Sequence, residues 1–174
     1  ILQTENQWSK GNPNGHFFKL MQKQRGEFIA LCEGDDYWIA KEKLQKQVEV
    51  LDADPTVALV FHNAWVKHEE SRRDYFLNFG IDKSRFTIED IIKRGWFMAT
   101  ASILYRRNSP LPPELLDYSM VGDMLIQINA CREGVAIYLD EVCSAYRRHA
   151  NGVSEKIWQY GTCLLYTSPS PRDL

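Results

Sequence analysis

Short unbroken apolar runs alternate along the chain with stretches in which apolar residues recur every three or four positions, and this alternation predicts strands set between helices. Phe17, Phe18, Leu20 and Met21 follow the turn-forming Asn12-Pro13-Asn14-Gly15 at helical spacing, and Gly26 stops the pattern. Phe28 to Cys32, "FIALC", is a continuous apolar run bounded by charge and turn signals, as expected of a strand buried on both faces. Leu44, Val48 and Leu51 repeat at helical spacing until Pro55. Val57 to Phe61, "VALVF", is a second buried-strand run. Strand, helix, strand predicts an α/β architecture with a partly parallel sheet.

From His68 to Arg85 the period fails, so an excursion over the surface is expected there. In "TIEDIIKRG", Thr87 can cap a helix, Asp90 is a shorter version of the capping-box acid, and Gly95 closes it. "MATASILYRR" reads as a strand ended by "SPLPPE". "GDMLIQINACREG" is a short amphipathic helix with Met124, Leu125, Ile128 and Cys131 on one face and Gly134 at C′. "VAIYL" and "VCSAYRR" follow as two strands joined by Asp140-Glu141, before the chain loosens into "HANGVS". No internal repeat interrupts this order. The opening "ILQTENQ" lacks a Met and reads as the end of a strand entering a loop, so an upstream part is expected. Cys163 to Asp173, "CLLYTSPSPRD", resembles a sequencing-library adapter translated in frame; residues 163–174 are expected to be a disordered artefactual tail without function.

Composition narrows the classes. With 174 residues, 44% hydrophobic and 25% charged, the chain is expected to form one domain over 1–162. A net charge of -2 gives no basic field for a phosphate backbone, which argues against nucleic acid as partner. No apolar run nears the roughly 20 residues needed to cross a bilayer, and no signal-peptide order is present, so a soluble cytoplasmic protein is expected. Cys32, Cys131, Cys143 and Cys163 form no C-x-x-C pair and suit reduced, buried thiols.

The sharpest chemical feature is "ALCEGDDYW", where Glu33, Asp35 and Asp36 follow an apolar run. Ligands of parallel α/β sheets bind beyond the carboxyl ends of strands, and Mg²⁺ or Mn²⁺ takes one or two protein carboxylates while phosphates and water complete its shell. The competing reading is an acidic loop that caps the next helix; three acids beyond a buried strand favour the metal turn. Asp52 and Asp54, beside Pro55, read instead as a solvated helix end.

"RGEFIALCEGDDYW…KLQKQ" resembles the central motif of family 2 glycosyltransferases, in which a strand delivers a D-x-D-D-type turn, an aromatic, and a helix beginning KL-x-x-Q. The likeness continues in family order through "FMATASILYRR", "VGDMLIQINACREG" and "YRRHANGVS", and so covers most of residues 1–154. It implies a GT-A fold (nucleotide-diphospho-sugar transferase-like, Rossmann-like), a mixed sheet flanked by helices, here without its first βα units. It also implies a nucleotide-diphospho-sugar donor, Mn²⁺ or Mg²⁺, inversion at the anomeric carbon, and a glycan or lipid-linked acceptor of the bacterial cell envelope. Peripheral association with the cytoplasmic face of the inner membrane fits such an acceptor. The metal turn would span 33–36 and the acceptor-side part about 87–154. By position, Asp35 falls on the metal-binding acid with Asp36 beside it, and Glu33 stands where the family usually has Asp. Asp123 matches the general base. Arg147, Arg148 and His149 fall where groups face the donor pyrophosphate. A fragment lacking the donor's base and ribose contacts is expected to be inactive alone.

Each role has a plainer reading. Asp123 could be a first-turn helix acid, Arg147 and Arg148 surface cations, and Trp96 and Phe97 core aromatics rather than a sugar-stacking pair. His62 and His68 lack the second His of H-E-x-x-H and read as structural. Two other function classes remain in view: a metal-dependent phosphohydrolase, which would need D-x-D-x-T where this chain has Tyr37 and Trp38, and a non-catalytic sugar-binding fragment.

Overall fold

The fold is built on one long apolar strand. A computed structural model describes residues 21, 23–69, 73–107, 122–150 and 152. The elements are β1 (Phe28–Ala30), β2 (Tyr37–Trp38), α1 (Lys43–Ala53), β3 (Val57–His68), β4 (Tyr75–Phe76), β5 (Arg85–Phe86), α2 (Ile88–Arg94), a 3-10 turn (Thr100–Ser102), β6 (Leu104–Arg106), α3 (Gly122–Ala130), a second 3-10 turn (Cys131–Glu133) and β7 (Val135–Arg148). They form a mixed sheet of order β1-β6-β3-β7-β2, with β4 on β3 and β5 on β7. β3 and β7 run parallel, while β6 is antiparallel to both β1 and β3.

Helices cover both faces, as a sheet apolar on both sides requires. On one face Leu59 and Phe61 of β3 meet Phe86, Ile91, Phe97 and Ile126, which seats α2 and α3. On the other, Val60 and Leu104 meet Leu51 of α1. Successive strand residues point to opposite faces, so the unbroken "VALVF" run serves both cores at once.

Several expectations change. Among the described residues β1 is an edge strand of three residues in which Ile29 alone is buried, so the run to Cys32 is not buried on both faces, and Cys32 is exposed. β1 and β3 share a direction, but β6 lies between them. "MATASILYRR" divides into a 3-10 turn and the short β6. "VAIYL" and "VCSAYRR" are a single strand that bulges at Asp140-Glu141, because Leu139 pairs with His62 and Val142 with Asn63. The excursion after His68 carries β4 and β5. Gly134 is not a left-handed C′ residue: a Cβ there would lie 2.8 Å from both Ala58 Cβ and Thr56 O, so close approach demands glycine.

α2 forms as the pattern predicts. The Thr87 side chain accepts from the backbone of Asp90, the Asp90 carboxylate accepts from Thr87 N–H, and Gly95 closes the helix at φ 70. α1 forms too, but turned: Lys43, Gln47 and Leu51 face the sheet, whereas Leu44 is exposed. The helix expected through Phe17–Met21 lies outside the described residues apart from Met21, as do "ILQTENQ", the tail 163–174 and half of "HANGVS". Among the described residues, no helix is long and apolar enough to cross a membrane.

Candidate functional site

The acidic turn hangs between the edge strand and the far end of β7. Leu31 N–H donates to Ile103 O and Asp36 N–H to Glu33 O, so Gly34 and Asp35 form the tip of a tight turn. Two residues later β2 pairs with Ala145 and Ser144 of β7, which draws the turn against the segment Arg147–His149. The Arg147 backbone N–H donates to Asp36 Oδ1 at 2.9 Å, and His149 Nε2 lies 3.1 Å from Asp35 Oδ2. Residues more than 110 positions apart in sequence thus meet at one site.

The remaining wall comes from the 3-10 turn and the start of α3. Thr100 Oγ1 is 3.2 Å from Asp123 Oδ2 and also meets Glu33, so its single hydroxyl proton serves one carboxylate at a time. Trp96 Nε1–H donates to Asp123 Oδ2 at 2.9 Å, and Met124 N–H donates to Asp123 Oδ1 at 2.9 Å. The 3-10 turn is itself pinned from beneath. Trp38 Nε1–H donates to Ala101 O, Gln47 Nε2 donates to Ser102 O and Val60 O, and the buried Lys43 donates to Gln47 while standing 4.5 Å over the Trp38 ring.

The electrostatics show a surplus of negative charge. Burial first, then Asp36, Asp123 and Asp35, push the Glu33 carboxyl up to about 7, although the residue is exposed at the surface. Burial likewise lifts Asp36 to about 6, against the opposing pull of the Arg147 N–H. Asp36 Oδ2 is buried without a hydrogen-bond partner. An orphaned carboxylate oxygen costs free energy unless a donor or cation reaches it.

The candidate residues therefore divide. Glu33, Asp35, Asp36, Asp123 and His149 converge, but Arg147 contributes its backbone, because its guanidinium pairs with Glu69. Arg148 is half-buried at the end of β7. Phe97 belongs to the core at 8% exposure, and His62 is fully buried, as a structural histidine should be. Sequence reading missed Thr100, Lys43, Gln47 and Glu69. Thr100 stood out only as a polar residue in an apolar run, and Lys43, Gln47 and Leu51 at four-residue spacing gave an alternative helix stripe.

The donor set suits a hard cation: carboxylate oxygens with one buried oxygen unpartnered. Among the described residues, no group of three or more His, Cys, Asp or Glu is disposed as a ready-made cage. Mg²⁺ and Mn²⁺ need none when a bound diphosphate and water complete the shell.

No family model matches the chain. Over 140 residues, 80% of the chain, it is 32% identical to an uncharacterized protein of Mycobacterium bovis (strain ATCC BAA-935 / AF2122/97). Uncharacterized proteins of the Mycobacterium tuberculosis strains CDC 1551 / Oshkosh and ATCC 25618 / H37Rv match equally. The matched stretch is 40% of each relative, so the chain spans about two-fifths of their length.

Proposed function

We propose that the chain is the metal-turn and acceptor-side part of a metal-dependent inverting glycosyltransferase of the family 2 type, with a GT-A fold. The observation that carries this reading is the carboxylate cluster with its orphaned Asp36 oxygen, facing Asp123 across Thr100. Asp35 and Asp36 would hold Mn²⁺ or Mg²⁺, with Glu33 at the margin, and the cation supplies Lewis-acid stabilisation of a diphosphate leaving group when bound. Each remaining part falls to the chain's own residues. Transfer breaks the bond from the sugar's anomeric carbon to the phosphate oxygen, which keeps the electron pair, and forms a bond from that carbon to an acceptor oxygen on the opposite face. Asp123 takes the acceptor's proton. Arg148 and His149 would face the developing diphosphate charge, whereas Arg147 is engaged by Glu69. The donor is a nucleotide-diphospho-sugar and the acceptor a glycan or lipid-linked saccharide of the cell envelope.

The test is release of nucleoside diphosphate by the full-length protein from a panel of UDP-, GDP- and TDP-sugars, with Mn²⁺ or with chelator. Metal-dependent release that disappears in Asp35→Asn supports the reading. No release from any donor, or release indifferent to chelator, sinks it.

A further inference from the structure

A carboxylate offers about four lone-pair sites on its two oxygens. On Asp123 three of them face donors of the protein: Oδ2 meets the Trp96 indole N–H and the Thr100 hydroxyl, and Oδ1 meets the Met124 N–H. Among the described residues no fourth donor is placed on this carboxylate, which leaves one site, on Oδ1, for a substrate hydroxyl.

The ring that supplies the indole N–H is not part of the core. Phe97 beside it is 8% exposed, but Trp96 keeps 38%. Its ring lies 5.7 Å from that of Tyr146 at an interplanar angle of 50°, so the two make an aromatic corner next to the carboxylate. Among the described residues, polar groups stand beside that corner: Asp123 with Thr100, and through Thr100 Glu33, on the Trp96 side, and Arg147, next in the chain, on the Tyr146 side. An alkyl chain would need an apolar groove there. A pyranose suits the corner better, because its C–H groups carry partial positive charge toward a ring face while its hydroxyls point sideways to polar partners.

We propose that Trp96 and Tyr146 form the acceptor subsite, holding a pyranose by the C–H face of its ring and presenting one hydroxyl to Oδ1 of Asp123. The proposal rests on the transferase reading and deepens it: the acceptor group next to the base is a saccharide ring, not a lipid hydroxyl or a protein side chain. Trp96 has two duties that substitution separates. Trp96→Phe keeps an aromatic face and removes the N–H; Trp96→Leu keeps bulk and removes both.

The experiment uses the full-length protein labelled at its indole nitrogens, titrated with the methyl glycosides of glucose, galactose, mannose and N-acetylglucosamine. The Trp96 indole resonance is identified by its loss in Trp96→Phe. At least one glycoside should shift it saturably. Ligand-observed resonance on the variants should show that glycoside weakened about tenfold by Trp96→Leu, the worth of one aromatic contact, and less than threefold or so by Trp96→Phe. If all four leave the indole unmoved, or if Trp96→Leu binds like the wild type, the subsite does not exist. Calorimetry of UDP with and without Mn²⁺ on the same samples keeps the two readings apart. Metal-dependent nucleotide binding without any glycoside effect overturns the subsite alone. Glycoside binding at Trp96 without metal-dependent nucleotide binding upholds the pyranose subsite and removes the transferase.

Discussion

Two sets of acids in this molecule differ in how fully donors and cations offset their charge. Asp54 accepts from the Thr56 N–H at 2.8 Å and the Thr56 hydroxyl at 2.6 Å, with Arg85 beside it, and these hold its carboxyl below the usual range. Asp90 accepts from Lys83 and from Thr87 N–H and falls to about 2. Glu33 rises to about 7, driven by burial and then by Asp36, and Asp36 rises to about 6, driven by burial and, after the opposing Arg147 N–H, by Asp35. The first pair fastens a turn and a helix start. The donors that reach the second do not offset its burial, so added positive charge would stabilise it, which is how binding sites differ from structural ion pairs.

Several measurements can break or sharpen that contrast. The largest effect belongs to Asp123→Asn, which keeps the shape of the side chain and removes its proton acceptor: turnover by the full-length protein should fall by about 10²–10⁴. Unchanged turnover would place Asp123 with the structural acids.

Gln47→Leu comes next. Gln47 is fully buried and donates to two backbone carbonyls, so leucine would strand both acceptors and Lys43 as well. The urea midpoint should report a loss of about 2–4 kcal/mol. A near-neutral result would show that the 3-10 turn carrying Thr100 does not depend on this anchor.

A buried base tests the same logic in the opposite sense. Burial holds His62 down at about 4 against its ordinary 6.5. The unfolded chain binds this proton from about pH 6.5 downward and the native chain only near 4. Stability contributed by the neutral ring is therefore full above pH 6.5 and is lost toward pH 4, by roughly 3 kcal/mol. Glu33 and Asp36 act oppositely, since the native state takes up their protons first, so the difference between wild type and His62→Leu isolates the histidine. Identical pH slopes in the two proteins would remove this assignment.

The smallest effect is a matter of sign. At pH 8, Glu33→Gln removes a charge that its neighbours disfavour and should raise Tm slightly, because Glu33 keeps solvent contact. Asp54→Asn should lower it. Shifts in the same direction would dissolve the distinction between the two sets.

Much of this was legible before any coordinates. α2 and its capping box were readable because Thr87, Asp90 and Gly95 act on backbone within a few residues. The acidic turn was legible because apolar run, glycine and acids are contiguous. α1 shows where such reading stops: Leu44, Val48 and Leu51 make a sound stripe, yet Lys43 and Gln47 are the buried residues. Trp38 and the carbonyls of Val60 and Ser102 offer those polar groups better partners than water, and no local pattern contains that fact. The bulge in β7 was read as a break for the same reason, since the register with His62 and Asn63 decides it.

The sequence by itself determined the capped helix Ile88–Arg94, the two-sided apolar strand Val57–Phe61 and the contiguous place of Glu33, Asp35 and Asp36, because local periodicity and turn chemistry act over a few residues. Only the tertiary structure decided which acids lack partners, that Arg147 gives its backbone rather than its guanidinium, and that Trp96 and Thr100 orient Asp123. These depend on strands and helices far apart in the chain arriving at one place, where burial and neighbouring charge set each group's chemistry.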